Sequence, residues 1–379
     1  MDASIRRQSG FNLIELMVGL TISLIGLIAV AQIMVTFNQQ RTTVGQTMAS
    51  QNNGVMALYL LERDLAQAGY GLMNLQNCLF INYFYNGTGY YLTPYGVGLP
   101  GTNNVALTTL PVRIIDGGTG SDILEVQYGY SASGVPGTDI TGVQASYSDA
   151  YAVKAAVGFA TGDRFVANVN GTCTLAEVSN ANPVVSPIAH DAGPAAPYNV
   201  AAAPGGTGWN NVLAAYIVPN VSPQPFLANL GSFVSRRYQI DASGLTLAEL
   251  PTFTANTLVD DIVFFKAQYG LAASAASSSV ASWADGSTII NNTTASRVIA
   301  IRVGIVARSP LYEKTEVDAP ATLSVIPPRA GVTVLPDPAA GLCGTDATTS
   351  EVKCTVTDRH YRYRAYSTVV PLKNSIWIR

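Results

Sequence analysis

The sequence predicts an α+β protein: a long N-terminal helix, membrane-spanning in its first half, packed on a large antiparallel β-rich head. Three observations predict it. From Leu13 to Phe37 the only charged side chain is Glu15, and at about 1.5 Å per residue a helix of that length crosses a bilayer core of roughly 30 Å. Apolar residues then keep a 3.6-residue period as far as Gly69. Beyond residue 120 the chain changes to β-branched and aromatic runs bounded by Gly, Pro, Asn and Ser, the signature of strands.

The first element is a short basic leader, with Arg6 and Arg7, ending at Ser9-Gly10. By the positive-inside rule these arginines stay in the cytoplasm, so everything after Phe37 is exported. Glu15 needs an explanation, because a carboxylate in hydrocarbon costs about 3 kcal/mol by insertion scales and calls for a partner. Cleavage after Gly10 would supply one: the new α-amino group of Phe11, positive at neutral pH, lies one helical turn from Glu15. The same pair could form between neighbouring copies. A secretory signal peptide is the alternative, since Ala29-Val30-Ala31 fits its small-x-small rule. Its apolar region spans only about 7 to 15 residues, however, and would not contain Glu15. A plain anchor explains the length and leaves the glutamate without a role.

Gly10-Phe11-Asn12-Leu13-Ile14-Glu15-Leu16-Met17-Val18 resembles the start of a type IV prepilin. The resemblance implies that Gly10 is the last leader residue, that prepilin peptidase cuts before Phe11, that Phe11 becomes N-methylated, and that Glu15 guides the subunit into a filament. It divides the chain into a leader (1–10), a membrane and filament-core helix (11–37), an amphipathic continuation (38–71) and an exported head (72–379).

In the continuation, Val44, Met48, Val55, Leu58, Leu61, Leu65 and Ala68 form one apolar stripe, and Gly69 and Gly71 stop the helix. Gly45 and Gly54 each weaken it by about 1 kcal/mol relative to Ala, so a bend is expected there. The run Leu60-Leu61-Glu62-Arg63-Asp64-Leu65-Ala66-Gln67-Ala68-Gly69-Tyr70-Gly71 resembles the helix end of the PilW family of minor pilins. Taken alone, it reads as a capped amphipathic helix with solvated charges.

Strands are expected at 122–130, 150–159, 164–169, 212–218, 233–240, 258–269, 297–309 and 360–372, with long irregular stretches at 84–120, 180–211, 271–296 and 327–350. Charge in Arg297 to Val306 falls on two positions only, the pattern of a strand buried on both faces. Three of these strands resemble PilW strands: Asp122 to Gly129, Val263 to Gly270, and Arg297 to Ser309. The tail from Tyr361 to Asn374 also resembles PilW, with Lys373 where arginine is usual. The J-type pseudopilins of type II secretion could share these later blocks.

Only 12% of residues are charged, about half the usual share, which fits a loop-rich β protein polar through Ser, Thr, Asn and Tyr. A net charge of −3 gives no electrostatic footprint for nucleic acid. The interleaved Arg359-His360-Tyr361-Arg362-Tyr363-Arg364 could stack single-stranded DNA, but reads better as a strand with rings and guanidinium groups on opposite faces. The four cysteines fit an oxidising compartment. Cys343 and Cys354 are spaced to close a short loop, leaving Cys78 for Cys173, although three connectivities are possible.

No catalytic constellation is present, and no cofactor or metal is expected. Gly96 to Gly101 matches G-x-G-x-x-G without the following helix that would hold a pyrophosphate. Asp116-Gly117-Gly118-Thr119-Gly120-Ser121-Asp122 offers oxygens to calcium but lacks the EF-hand pattern. The prepilin and PilW resemblances imply a minor pilin, first in the inner membrane and then in an extracellular type IV pilus, starting assembly near its tip. The partners the resemblance implies are prepilin peptidase, the major pilin, other minor pilins and a large tip adhesin. The alternatives are a J-type pseudopilin and a membrane-tethered periplasmic binding protein.

Overall fold

The computed structural model describes residues 12–72, 75, 80–85, 88–90, 111–142, 149–169, 172–180, 186–199, 225–249, 254–288, 294, 296–317, 322–326, 343–345, 350–356 and 358–376. Helix α1 runs unbroken over Leu13–Gln67, about 80 Å at 1.5 Å per residue. It ends where expected, since Gly69 and Gly71 take positive φ of 82° and 77°.

The head follows as β1 (Phe80–Tyr85), β2 (Thr88–Tyr90), β3 (Val112–Ile115), β4 (Ile123–Tyr130), β5 (Gly137–Asp139), β6 (Arg164–Val169), β7 (Thr172–Glu177), β8 (Phe226–Ile240), β9 (Gly244–Glu249) and β10 (Ala255–Asp260). It continues through β11 (Ile262–Ala272), β12 (Val280–Ala284), β13 (Val298–Arg308), β14 (Thr322–Ile326), β15 (Cys343–Thr345), β16 (Val352–Thr355), β17 (Tyr363–Pro371) and a final helical turn, α2 (Lys373–Ile376).

The largest sheet has the order β10-β9-β8-β6-β7-β1-β2, with β3, β4 and β5 attached through β4 and β8. The long β8 organises it. Its first half pairs with β5 and β6, and its second half with β4 and β9. A second sheet runs β12-β11-β13-β17 and a third β14-β16-β15. Among the described strands, pairing is antiparallel apart from β1 with β7.

Helix α1 lies on the second sheet. Ala57, Leu61 and Leu65 join Val126, Tyr238, Phe265, Ile301, Val303 and Val370 in the main core. On the opposite face of that sheet, Phe264 and Val306 meet Val325, Ile326 and Val352 of the small third sheet. A separate core around Tyr151, Phe165, Ile188 and Leu227 serves the lobe built on β5 and β6.

Several expected elements change in detail. Residues 150–159 make only isolated bridges, at Tyr151 and Val153. The expected strand at 258–269 is two, because Asp261, at φ 57°, turns the chain between β10 and β11. The irregular stretches contain β2, β3, β12 and β15. The strand expected at 212–218 lies outside the described residues.

Candidate functional site

Helix α1 presents two kinds of surface. From Asn12 to Thr42 every residue is exposed to the surroundings of the isolated chain, including Leu13, Leu16, Leu20, Leu24, Leu27 and Phe37. This is a helix long and apolar enough to cross a membrane. Asn12 caps its start in extended conformation, and its carbonyl accepts from the backbone N–H of Glu15 at 2.9 Å and of Leu16 at 3.2 Å. Glu15 thus sits in the first turn. Gly10 and Phe11 lie outside the described residues.

Beyond Thr42 the packed face is not the single apolar stripe that the sequence pattern suggests. Gln46, Ser50, Gly54, Ala57, Leu61, Asp64 and Leu65 are buried, whereas Val44, Met48, Val55 and Tyr59 are 54, 59, 61 and 60% exposed. Each exposed residue precedes a buried one by two positions, or about 200° around a helix of 3.6 residues per turn. The two stripes therefore lie on opposite sides. Val44, Met48 and Val55 belong to the outer stripe, while Leu61, Leu65 and Ala68 belong to the packed one.

The reason is close approach. A Cβ on Gly54 would stand 2.3 Å from Cε2 of Tyr366 in β17, so only glycine lets that ring lie against the helix. The glycine read as a bend is a contact point in a continuous helix.

At its far end α1 is locked to the head. The N–H of Gly69 donates to the Gln127 carbonyl at 2.9 Å, and that of Gly129 to the Tyr70 carbonyl at 2.7 Å, so the turn joins β4. The side-chain amide of Asn374 donates to the carbonyls of Gln67 at 3.2 Å and Ala68 at 3.1 Å, satisfying groups a helix end leaves open.

Between these anchors sits Asp64. It accepts from Arg236 Nη1 at 2.8 Å and from the Tyr238 hydroxyl at 2.5 Å, while Arg236 also donates to Tyr128 and to Glu249. Burial, followed by the Asp64 charge, raises the Tyr238 and Tyr128 hydroxyls above the ordinary tyrosine value. Glu62 and Arg63 are exposed, but the expectation of solvated charges fails at Asp64 because its partners arrive from β8, 172 residues on.

A second buried charge lies in the head. Lys266 of β11 donates from Nζ to Asp122 Oδ1 at 2.5 Å, Asp116 Oδ1 at 2.8 Å and the Gly118 carbonyl at 2.8 Å. The oxygens of the 116–122 loop considered for calcium thus surround an ammonium. Burial raises the Asp122 carboxyl despite Lys266. For Asp116 burial acts upward, but hydrogen bonding to Lys266 leads a set of interactions that leaves it lowered. Lys266 is raised, its carboxylate partners outweighing the opposing effect of burial.

Cys173 and Cys354 are each disulfide-bonded, and the β15–β16 register sets Cys343 opposite Cys354. Cys78 and the Gly96 to Gly101 run lie outside the described residues. The basic-aromatic segment leads into β17, with its rings packed together. Tyr312 stacks on His360 with centroids 4.5 Å apart, and Arg308 lies over Tyr361. Arg362 pairs with Glu313 at 2.7 Å.

Residues 5–31 match the prokaryotic N-terminal methylation motif, and residues 245–374 match the family described as type IV pilus-assembly protein W, PilW. The chain thus joins a prepilin-type methylation motif to a segment similar to PilW. Its PilW segment runs from the start of β9 into α2, and so includes both the sheet beneath α1 and the Asn374 cap. Both matched families are structural and not enzymatic. A methylation motif of this kind implies processing by prepilin peptidase and assembly with other pilins. No curated protein matches the chain. A type IV-like pilin from Thermus thermophilus is 13% identical, with a TM-score of 0.25, over 39% of this chain and 69% of that one.

Proposed function

We propose that this chain is a PilW-type minor pilin that helps to initiate a type IV pilus and sits near its tip, presenting its head to other minor pilins, to the major pilin beneath and to a large adhesin. The single observation carrying the reading is that α1 bears apolar side chains it does not bury against its own head. These run from Leu13 through Phe37 and continue as Val44, Met48, Val55 and Tyr59 on the side away from β17. Such a surface suits lipid first and the helices of neighbouring subunits afterwards.

In this reading prepilin peptidase removes residues 1–10 on the cytoplasmic side of the inner membrane. Phe11 becomes N-methylated, which keeps its amine positive, and residues 11–37 form the filament core. Glu15 pairs with a Phe11 amine in surroundings of low dielectric, where the attraction exceeds that in water. Residues 38–71 carry the helix out to the head, 72–379. Disulfides Cys343–Cys354 and Cys78–Cys173 brace that head after export.

The test is Glu15→Ala. The variant is expected to insert in the membrane normally while cells make fewer pili, counted by electron microscopy; unchanged piliation would refute the assembly role. Mass spectrometry of the mature protein is expected to find methylated Phe11 at its start, whereas a terminus at Gln32 would select signal-peptide cleavage.

A further inference from the structure

We infer that Lys266 and Asp122 join covalently, through an isopeptide bond made within the chain with Asp116 carrying the proton. The geometry places every participant. Nζ of Lys266 lies 2.5 Å from Asp122 Oδ1, with the two side chains 3% and 1% exposed. The other carboxyl oxygen, Oδ2, accepts from the backbone N–H of Ala267 at 2.9 Å, and Oδ1 also accepts from the N–H of Gly117 at 2.9 Å. Asp116 Oδ1 touches the same Nζ at 2.8 Å and is 27% exposed, so it can exchange protons with solvent. Amine, electrophile, oxyanion donor and proton carrier thus meet in one pocket.

The loop holds them there. Gly118 takes a positive φ of 63°, and its N–H donates to Asp116 Oδ1 at 2.9 Å. The N–H of Asp122 donates to the Phe265 carbonyl at 2.9 Å. Asp122 is therefore anchored to main-chain groups of Phe265 and Ala267, the residues on either side of Lys266 on β11. Such fixed proximity corresponds to effective concentrations of roughly 10⁵ M or more.

The step balances without any co-reactant. Lys266 passes one proton along its hydrogen bond to Asp122 Oδ1, giving a neutral amine facing a neutral acid, and burial favours that neutral acid. The Nζ lone pair attacks Cγ of Asp122, and the negative charge that develops on Oδ2 is met by the Ala267 N–H. A second proton leaves Nζ for Asp116, which returns it to the departing Oδ1. The C–Oδ1 bond breaks, one water is released, and Cγ–Nζ becomes an amide whose carbonyl oxygen is Oδ2. Nothing is oxidised or reduced.

The bond would tie the start of β4, in the large sheet, to β11 in the sheet beneath α1, across 144 residues of chain. A pull on one sheet would reach the other without parting them.

Intact-mass measurement of full-length protein extracted in detergent and reduced, followed by sequencing of its tryptic peptides, tests the inference. The expected mass is one water lower than sequence and processing require, with a branched peptide joining the segments that contain Asp122 and Lys266. Two linear peptides from folded protein, at the unaltered mass, overturn it. Asp116→Asn keeps the Lys266–Asp122 pair and is expected to slow bond formation about a hundredfold or more, the share usual for acid–base assistance. Linkage as complete as in the unaltered protein would overturn the part given to Asp116. Asp122→Ala strands a buried ammonium and endangers folding, so the mass of the unaltered chain remains the deciding measurement.

Discussion

At the scale of single residues, buried charge explains more of this head than its overall composition does. Asp64 joins Arg236 and Tyr238 of β8 to the helix, and Arg236 extends the network to Tyr128 of β4; removing one member of a buried pair costs about 3–5 kcal/mol because the other is left desolvated. Asp64→Ala is expected to lose that much stability in urea denaturation. Tyr238→Phe, which removes one hydrogen bond to the carboxylate, is expected to lose about 1.5–3 kcal/mol. His190 makes a separate prediction. It is 3% exposed, donates from Nε2 to the Asp149 carbonyl at 3.0 Å and lies against Tyr151, and burial holds its imidazole below the ordinary value of 6.5. The unfolded chain therefore takes up a proton first as pH falls. The stability this imidazole supports is complete above 6.5 and drains away below it, through the lower folded value. Denaturation midpoints between pH 7.5 and 5 are expected to fall on acidification, and more shallowly in His190→Gln.

At the scale of elements, the two helical glycines make a matched pair. Nothing lies within 4 Å of a Cβ built on Gly45, whereas one on Gly54 meets the Tyr366 ring. Gly45→Ala is expected to gain about 1 kcal/mol and Gly54→Ala to lose about 1–3 kcal/mol, with much of that loss recovered when Tyr366→Ala is added. Thermal denaturation of the four proteins measures both. The same contrast shows what the sequence could reveal. Period and stop signals located α1 and its end at Gly69 because both are local. They gave the spacing of the stripe but not its phase, because a helix with apolar residues on one side and small or polar ones on the other looks equally amphipathic whichever side is packed. Asp64 looked like a surface charge because its partners lie 172 residues away, and the buried pairing of Lys266 left no local signal because Asp122 lies 144 residues from it. The strands β4, β6 and β13 were legible from their β-branched and aromatic residues between turn signals. The short β14 to β16 were not, being held by pairing rather than by their own pattern. Glu15 alone needed no partner in view, since a carboxylate in an apolar run is anomalous by itself.

At the scale of the whole molecule, the outer stripe and the head are separable. Met48→Glu and Tyr59→Glu fall on exposed positions, so the stability of the head is expected to change by no more than about 0.5 kcal/mol. The amount of protein recovered in sheared pili is expected to drop, as read by immunoblot beside the membrane fraction. Loss of head stability in these variants would mean that the stripe packs inward. The seat of α1 also sets an order of events. Tyr366 and the Asn374 amide reach the helix from some 300 residues downstream, so under the proposed membrane insertion a growing polypeptide would have its stem in the bilayer long before the surfaces that grip that stem exist. Half-made molecules would wait as loosely tethered threads, and the last strand to arrive would be the clasp that renders each one fit for recruitment. Deleting residues from 363 onward is then expected to leave a membrane-bound, protease-sensitive product that never reaches a fibre.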